Sequence, residues 1–409
     1  MSGSETKAPI MSMAFVVTGN MLGAGILALP IQTGLSGLIP SLAGIVLMWI
    51  LMLSTAFIIA GQKSLTESAT ADLPTFFQKE LGTAGKWVAV VANLVILYGL
   101  LVAYISGAAS VIESLFKQHV PESMLMLIFF FVATFLTLFG MNLMRKGNAM
   151  IMLVMWITFG ILVVVCAENM DTGRLTFMDW HFLPASLPVV VTAFHFHNII
   201  PTISRNMNHD LSAIRKAMFI GTFIGLIMNI IWVVVVIAGL PLEGTSQDTI
   251  LAAFQENLPA TVPLCHILHS PIFTTSALLF ALLAMCAAYM ANGTALSSFI
   301  RDMATTYMHT SNRTLSFVFT FLPPLIISMV YPHLFLKAIN TVGGVGIDLI
   351  FGILPGALLI KYNRGKKRAY GYFIVACFAV VLFYELGQEL GLLHISPNAE
   401  YWNARLSHP

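Results

Sequence analysis

Apolar runs long enough to cross a hydrocarbon core, which takes roughly 20 residues, recur along this chain between short polar breaks. Eleven are read, at about 11–34, 38–61, 86–112, 123–144, 149–168, 187–203, 215–240, 271–299, 313–332, 334–360 and 370–391. The pattern predicts an all-α integral membrane protein. Two runs are interrupted. The first contains Thr18-Gly19-Asn20-Met21-Leu22-Gly23-Ala24-Gly25, after which a helix is expected to resume at Ile26. The sixth breaks at Phe194-His195-Phe196-His197-Asn198, before Pro201. Lipid offers no water to loose peptide groups, so helix-weakening residues at that depth must face a cavity or a protein partner. Interrupted helices in matching positions of two five-span halves point to inverted repeats with a ligand site at their interface. The halves are expected at 1–168 and 187–361, joined by a loop at 169–186 and followed by the last span and tail at 362–409.

Composition agrees with the spans. Hydrophobic residues make up 58% and charged ones 9%, against roughly 25% charged in soluble domains. The net charge of +2 carries no message about nucleic acid, but its distribution orients the chain. With a cytoplasmic N-terminus, sixteen of the 20 Lys and Arg fall on the inside, ending in Lys361, Arg364, Lys366, Lys367 and Arg368. Only Lys117, Arg174, Lys337 and Arg405 fall outside. That bias puts the C-terminal tail outside. The first span lacks a cleavage signal and reads as retained. The loops 169–186 and 241–270 are expected to hold short helices over a vestibule, and 62–85 and 204–212 to be connecting pieces. Cys166, Cys265, Cys286 and Cys377 are scattered, which argues against a disulfide framework or metal cluster. No phosphate loop, soluble domain or nucleophile–base pair is present, so neither a nucleotide-driven pump nor an enzyme is indicated. No cofactor is expected beyond a coupling ion, H+ or Na+. The expected partners are a small zwitterion and the bilayer, with no obligate protein partner.

The candidate chemistry clusters at the breaks. After Gly23, Ala24 and Gly25 the resumed helix presents unpaired N–H groups and its positive dipole end, which suit a carboxylate. Asn20 lies within the same break. The competing reading is close helix packing through small residues. His195 and His197, two apart, point about 200° away from each other on a regular helix, so they make a poor metal pair. A histidine in a membrane usually faces a cavity or a partner. One of the two is expected to titrate or meet substrate, while the other bonds backbone. Phe194 and Phe196 pack on a ligand or on each other, with Asn198 beside them. Tyr104 either lines a cavity or is buried with its hydroxyl satisfied; Tyr98, six residues earlier, is poorly aligned with it. In span eight, Asn292 and Thr294 are polar at depth, and Ser297-Ser298 could ligate a hard cation or simply bond their own i−4 carbonyls. Asp348 in span ten, preceded by Gly343, Gly344 and Gly346, is a candidate proton relay or ion partner. The glycines suggest a bend or tight packing. Glu385 and Glu389, near the end of the last span, read as solvated.

Three stretches carry a family resemblance: Gly19 to Pro30, Leu97-Tyr98 through Ala103-Tyr104-Ile105-Ser106-Gly107, and Phe194 to Pro201. Together they resemble the hydroxy/aromatic amino acid permeases, a bacterial group of tyrosine- and tryptophan-specific permeases within the amino acid–polyamine–organocation superfamily. The resemblance runs over essentially the whole chain. It implies a LeuT-like fold of five plus five inverted helices, with helices one and six discontinuous and an eleventh added. It also implies uptake of tyrosine, tryptophan or phenylalanine across the bacterial inner membrane by alternating access, usually with protons. By motif, Gly23, Ala24 and Gly25 would meet the substrate carboxylate, and Phe194 to His197 would supply carbonyls to its amino group. Two departures stand out. His195 occupies a position where glycine looks usual, which would narrow the aromatic subsite. Asn148 to Glu168 contains no lysine, whereas related proton-coupled permeases often have one there in place of a cation. With Ser297-Ser298, that makes sodium a rival to the proton. The other readings are a sodium-coupled carrier of small neutral amino acids such as serine or threonine, and a non-transporting membrane receptor or scaffold.

Overall fold

The computed structural model describes residues 8–66, 73–116, 120–139, 141–244, 248–310 and 312–393. Lys7, Lys117, Arg405 and most of the C-terminal tail therefore lie outside the described residues. Those described are helical apart from loops and one isolated bridge, Gly37 with Met178, which ties the 169–186 loop to the turn after span one. Among the described residues, ten helices are long and apolar enough to cross a membrane. An eleventh span forms when Ile10–Met21 is joined to the helix that follows it, from which it is bent by 58°.

Several boundaries move relative to the hydropathy reading, each for a local reason. The second half of span one starts at Ala24 rather than Ile26, with Gly23 as its N-cap. Span three belongs to a helical stretch, Leu73–Phe116, kinked at Gly82 (φ 82°, ψ −169°). That is the left-handed region a side chain disfavours, so 73–81 forms a separate short helix. The helix of span five begins at Met141, while its membrane-crossing part, Met150–Glu168, keeps the expected bounds. Span eight runs on to Tyr307, past its apolar part. The capping carboxamide of Asn312 and carboxylate of Asp210 start their helices by accepting from N–H groups two and three residues on. The 169–186 and 241–270 loops hold short helices, including Thr172–Thr176 and Thr261–Leu268.

Glycines let the spans carrying the breaks approach closely. Gly221 and Gly225 of span seven form a groove for the first half of span one. A Cβ on Gly221 would lie 2.5 Å from the Ala14 carbonyl oxygen, and one on Gly225 would lie 2.5 Å from Met21 Cε. Small residues four apart commonly seat membrane helices this way. Thr18 completes the contact by donating to the Gly221 carbonyl at 2.9 Å. Span ten is π-helical from Val342 to Ile353. Its Gly343 and Gly344 are pressed on the Leu183–Ala193 helix and on span eleven. The glycine run thus serves tight packing inside a widened helix. Away from the core, Phe131, Phe135 and Phe139 form an exposed stripe at four-residue spacing on span four, an apolar face suited to lipid.

A Cβ on Gly343 would stand 1.9 Å from the Pro188 carbonyl oxygen, a backbone atom unable to yield. Gly343→Ala is therefore expected to destabilise the folded protein by about 1–3 kcal/mol, the usual cost of overpacking. A melting curve in detergent reads the loss, and wild-type melting would show that the two helices are not pressed together as described.

Candidate functional site

Span one ends its first half at Met21 and restarts at Ala24; the second half has no side chain capping its first N–H groups. Span six ends its first half at Ala193, crosses a short irregular stretch, and resumes through His197–Ile199 into Ile200–Asn206. The two breaks face each other. The Asn20 side-chain amide donates to the His195 carbonyl at 3.2 Å and to Asn198 Oδ1 at 3.3 Å, bridging them directly. A helix start thus offers amides and a helix end offers carbonyls on either side of one space, the pairing that suits a carboxylate and an ammonium.

That space is a cavity of about 230 Å³. Asn20, Gly23 and Gly25 line it from span one, Thr192, His195 and Asn198 from span six, and Leu100 and Tyr104 from span three. Span five adds Met152 and Met155, and span eight adds Ala284, Ala288 and Asn292. One end is polar: the Asn292 amide donates to the Tyr104 hydroxyl at 3.4 Å and to the Ala288 carbonyl at 2.8 Å. The span-five and span-eight walls are thioethers and alanine methyls, a flexible apolar lining. Asn198 and Ala291 are exposed while Tyr104 and Thr192 are buried, so the cavity opens toward the first half of span one.

The structure separates the two histidines. His195 lines the cavity, and its Nε2 has no hydrogen-bond partner among the described residues. His197 turns away to span two, where its Nε2 meets the Met52 carbonyl at 3.1 Å and Thr55 Oγ1 at 3.0 Å. A carbonyl only accepts, so that nitrogen carries a proton. Phe351 of span ten packs against both imidazoles, at 5.1 and 4.9 Å between centroids.

The predicted residues divide accordingly. Asn20, Gly23, Gly25, Tyr104, His195, Asn198 and Asn292 come together at the cavity. Phe194 and Phe196 are buried in packing and His197 is bonded elsewhere; none of the three lines it. Ser297 and Ser298 lie more than a turn beyond Asn292 on span eight and do not line the cavity, and neither does Asp348. The side chain of Ala24 lies outside the described residues. Glu385, expected to be solvated, is instead buried, because span eleven turns it onto Gly344. Tyr98 bonds the Phe319 carbonyl at 2.5 Å, away from the cavity. Sequence reasoning missed Thr192, the two methionines and the alanine wall. The spacing Ala284-Ala287-Ala288-Ala291 was the available signal, since small residues three and four apart mark one helix face.

Gly25 and Gly23 do different work. A Cβ on Gly25 would sit 3.0 Å from Ala193 Cα and 3.2 Å from its nitrogen, whereas one on Gly23 would find nothing closer than 4.0 Å. Packing against span six thus accounts for Gly25, and open room for Gly23. Gly25→Ala is expected to lower the melting temperature measurably and Gly23→Ala to leave it near wild type. The reverse order would refute this assignment.

Comparison with known proteins follows the same lines. The profile of the tryptophan/tyrosine permease family matches residues 6–387. The chain is 26% identical over 359 residues to the tyrosine-specific transport system 1 of Haemophilus influenzae, covering 85% of this chain and 87% of that protein. It is 24% identical over 383 residues to a tryptophan-specific transport protein of Pseudomonas aeruginosa, covering 90% of each. Among solved structures it is similar to a mutant of the Eremococcus coleocola manganese transporter. There the TM-score is 0.59 at 13% identity, over 96% of this chain and 90% of the other. The likeness is one of fold, and that fold is LeuT-like.

Proposed function

Because this chain belongs to the tryptophan/tyrosine permease family, we propose that it imports an aromatic amino acid across the bacterial inner membrane by cation-coupled symport, with the proton as the coupling ion. The observation that carries this reading is the pair of facing breaks joined by Asn20 around one cavity. The substrate carboxylate docks on the free N–H groups of the helix beginning at Ala24, with Gly23 leaving room for its approach. The ammonium is held by carbonyls at the end of the Leu183–Ala193 helix. The side chain extends between Met152, Met155 and the alanine face of span eight, toward Tyr104 and Asn292. His195 Nε2, buried and unpartnered at the cavity wall, bonds a polar group on the substrate side chain.

Where the cavity opens supports transport by alternating access. With the N-terminus cytoplasmic, as the placement of Lys and Arg indicates, the opening toward the first half of span one is an inward-facing state. Substrate and cation act by shifting the balance between this state and an outward-facing one, so coupling is a difference in their affinities for the two.

The test is uptake of radiolabelled tyrosine, tryptophan and phenylalanine into proteoliposomes of the purified chain. Accumulation of at least one is expected; binding without accumulation would favour the receptor reading. Gly23→Leu should fill the cavity and abolish uptake while retaining a monodisperse, thermally stable protein, and wild-type uptake by that variant would remove the break from the site. His195→Phe should lower the preference for a hydroxylated or indole side chain over phenylalanine by up to about tenfold, the worth of one hydrogen bond. An unchanged tyrosine-to-phenylalanine ratio would take His195 out of recognition.

A further inference from the structure

We propose that Asp348 and Glu385, a carboxyl pair sealed between spans ten and eleven, form the proton-binding site through which a pH gradient drives transport. This rests on the transport reading above. Asp348 is completely buried and Glu385 is 3% exposed. Neither Asp348 oxygen, nor Glu385 Oε1, has a hydrogen-bond partner, and neither residue joins an ion pair among the described residues. Asp348 lies four residues from both Gly344 and Gly352, the glycines that span ten presses on Glu385 and Phe378 of span eleven. An isolated carboxylate in such a place is costly, so the low-energy form of the pair is uncharged, with its protons bound.

The surroundings supply a way in and a way to transmit the event. Glu389, one turn beyond Glu385, is ion-paired with Lys337 at 3.0 Å, and both reach solvent. From span six the facing ionisable groups are His195 and His197, with the Phe351 ring packed against both. Span three meets this part of span ten through Ile96 and Ala92, and span two (Leu38–Ala60) contains no charged side chain. The nearest cation in the next turns, Lys361, donates to the Glu80 carbonyl at the far end.

Glu385 is also mechanically placed. A Cβ on Gly344 would fall 2.7 Å from Glu385 Cβ and 3.1 Å from Pro188 Cγ. Thr192, at the cavity, donates to the Ile339 carbonyl of span ten at 3.0 Å. Span ten, which carries Asp348 and meets Glu385 at Gly344, is thus joined to the helix whose end lines the cavity. Release of a proton leaves a carboxylate in a dry contact, which is relieved when spans ten and eleven part and admit water. Asp348 lies within the π-helical stretch Val342–Ile353, a rare departure from the α-helix that is frequent at functional sites. Each cycle takes up H+ on the acidic side as a carboxylate becomes a carboxylic acid, and releases it on the other side.

Two measurements on the full chain test this. In proteoliposomes, accumulation driven by an inward pH gradient is compared with exchange at symmetric pH, using the amino acid that wild type transports. For Asp348→Asn, Glu385→Gln and the double variant, the ratio of gradient-driven accumulation to exchange should fall about tenfold or more, within the range of measured coupling between sites. A wild-type ratio in the double variant overturns the proposal. So does wild-type accumulation driven by sodium with no response to pH, which would leave amino acid import standing and replace its coupling ion. Infrared difference spectra of the wild-type protein provide a readout independent of turnover. They should show protonated carboxyl C=O bands at neutral pH that the substitutions remove, and their absence would also overturn it. A protein that shows those bands but transports none of the three amino acids would falsify the transport reading instead.

Discussion

Everything in this molecule follows from the inability of lipid to solvate a peptide group. An interrupted helix in hydrocarbon has amides and carbonyls that must find partners inside the protein or face a polar cavity. Here two interruptions are placed opposite each other, so that one helix start and one helix end share a single space. Asn20 meets part of the demand by donating across the gap to His195 and Asn198. The groups it leaves open are oppositely polarised, and that polarity is what recommends a zwitterion as the occupant.

Bringing the breaks together depends on missing side chains more than on added ones. Gly25 lets span one reach Ala193, Gly221 and Gly225 seat its first half on span seven, and Gly343 lets span ten reach Pro188. The contacts at Gly25, Gly221 and Gly343 are made with backbone atoms, and the one at Gly225 with the end of the Met21 side chain. The resulting frame is stiff, in keeping with the density of protein interiors. The cavity walls, by contrast, are methionine and alanine at the apolar side and Tyr104 with Asn292 at the polar side. Rigidity and adaptability are thereby assigned to different residues.

The spans and both breaks were legible in the sequence, because apolar length and clustered glycine speak directly to the cost of exposing backbone in lipid. The cavity set was legible only in part. Asn20, Gly23, Tyr104, His195, Asn198 and Asn292 stood out as polar or small residues at depth, and the fold gathers them. Nothing in the spacing of His195 and His197 said which would face inward; that depends on the irregular stretch after Ala193 and on Met52 and Thr55 of a distant span. Met152 and Met155 carried no mark distinguishing them from other apolar residues of span five. Glu385 sits near the end of an apolar run, a position that suggests water and misleads here. Which face a helix turns to its neighbour is decided by packing against Gly344, a contact with no local signature.

The two halves of span one answer to different neighbours, and the joint between them is where their angle can change. The first half lies chiefly along span seven, held by the Thr18 hydroxyl and the Gly221–Gly225 groove. The second packs closely on the Leu183–Ala193 helix through Gly25. Between them the chain bends by 58° at Leu22 and Gly23, with no side-chain cap to resist a change of angle. A ligand seated on the amides after Gly23 touches the joint itself and would bias its angle with little intervening machinery. The Leu183–Ala193 helix meets the same joint through Gly25, and meets span ten at Gly343 and Gly344 through Pro188. A change at either place is therefore felt at the other through one short rigid rod. Such a connection needs no long chain of intermediates, only a helix stiff enough to carry displacement between two sites that each prefer one of its positions.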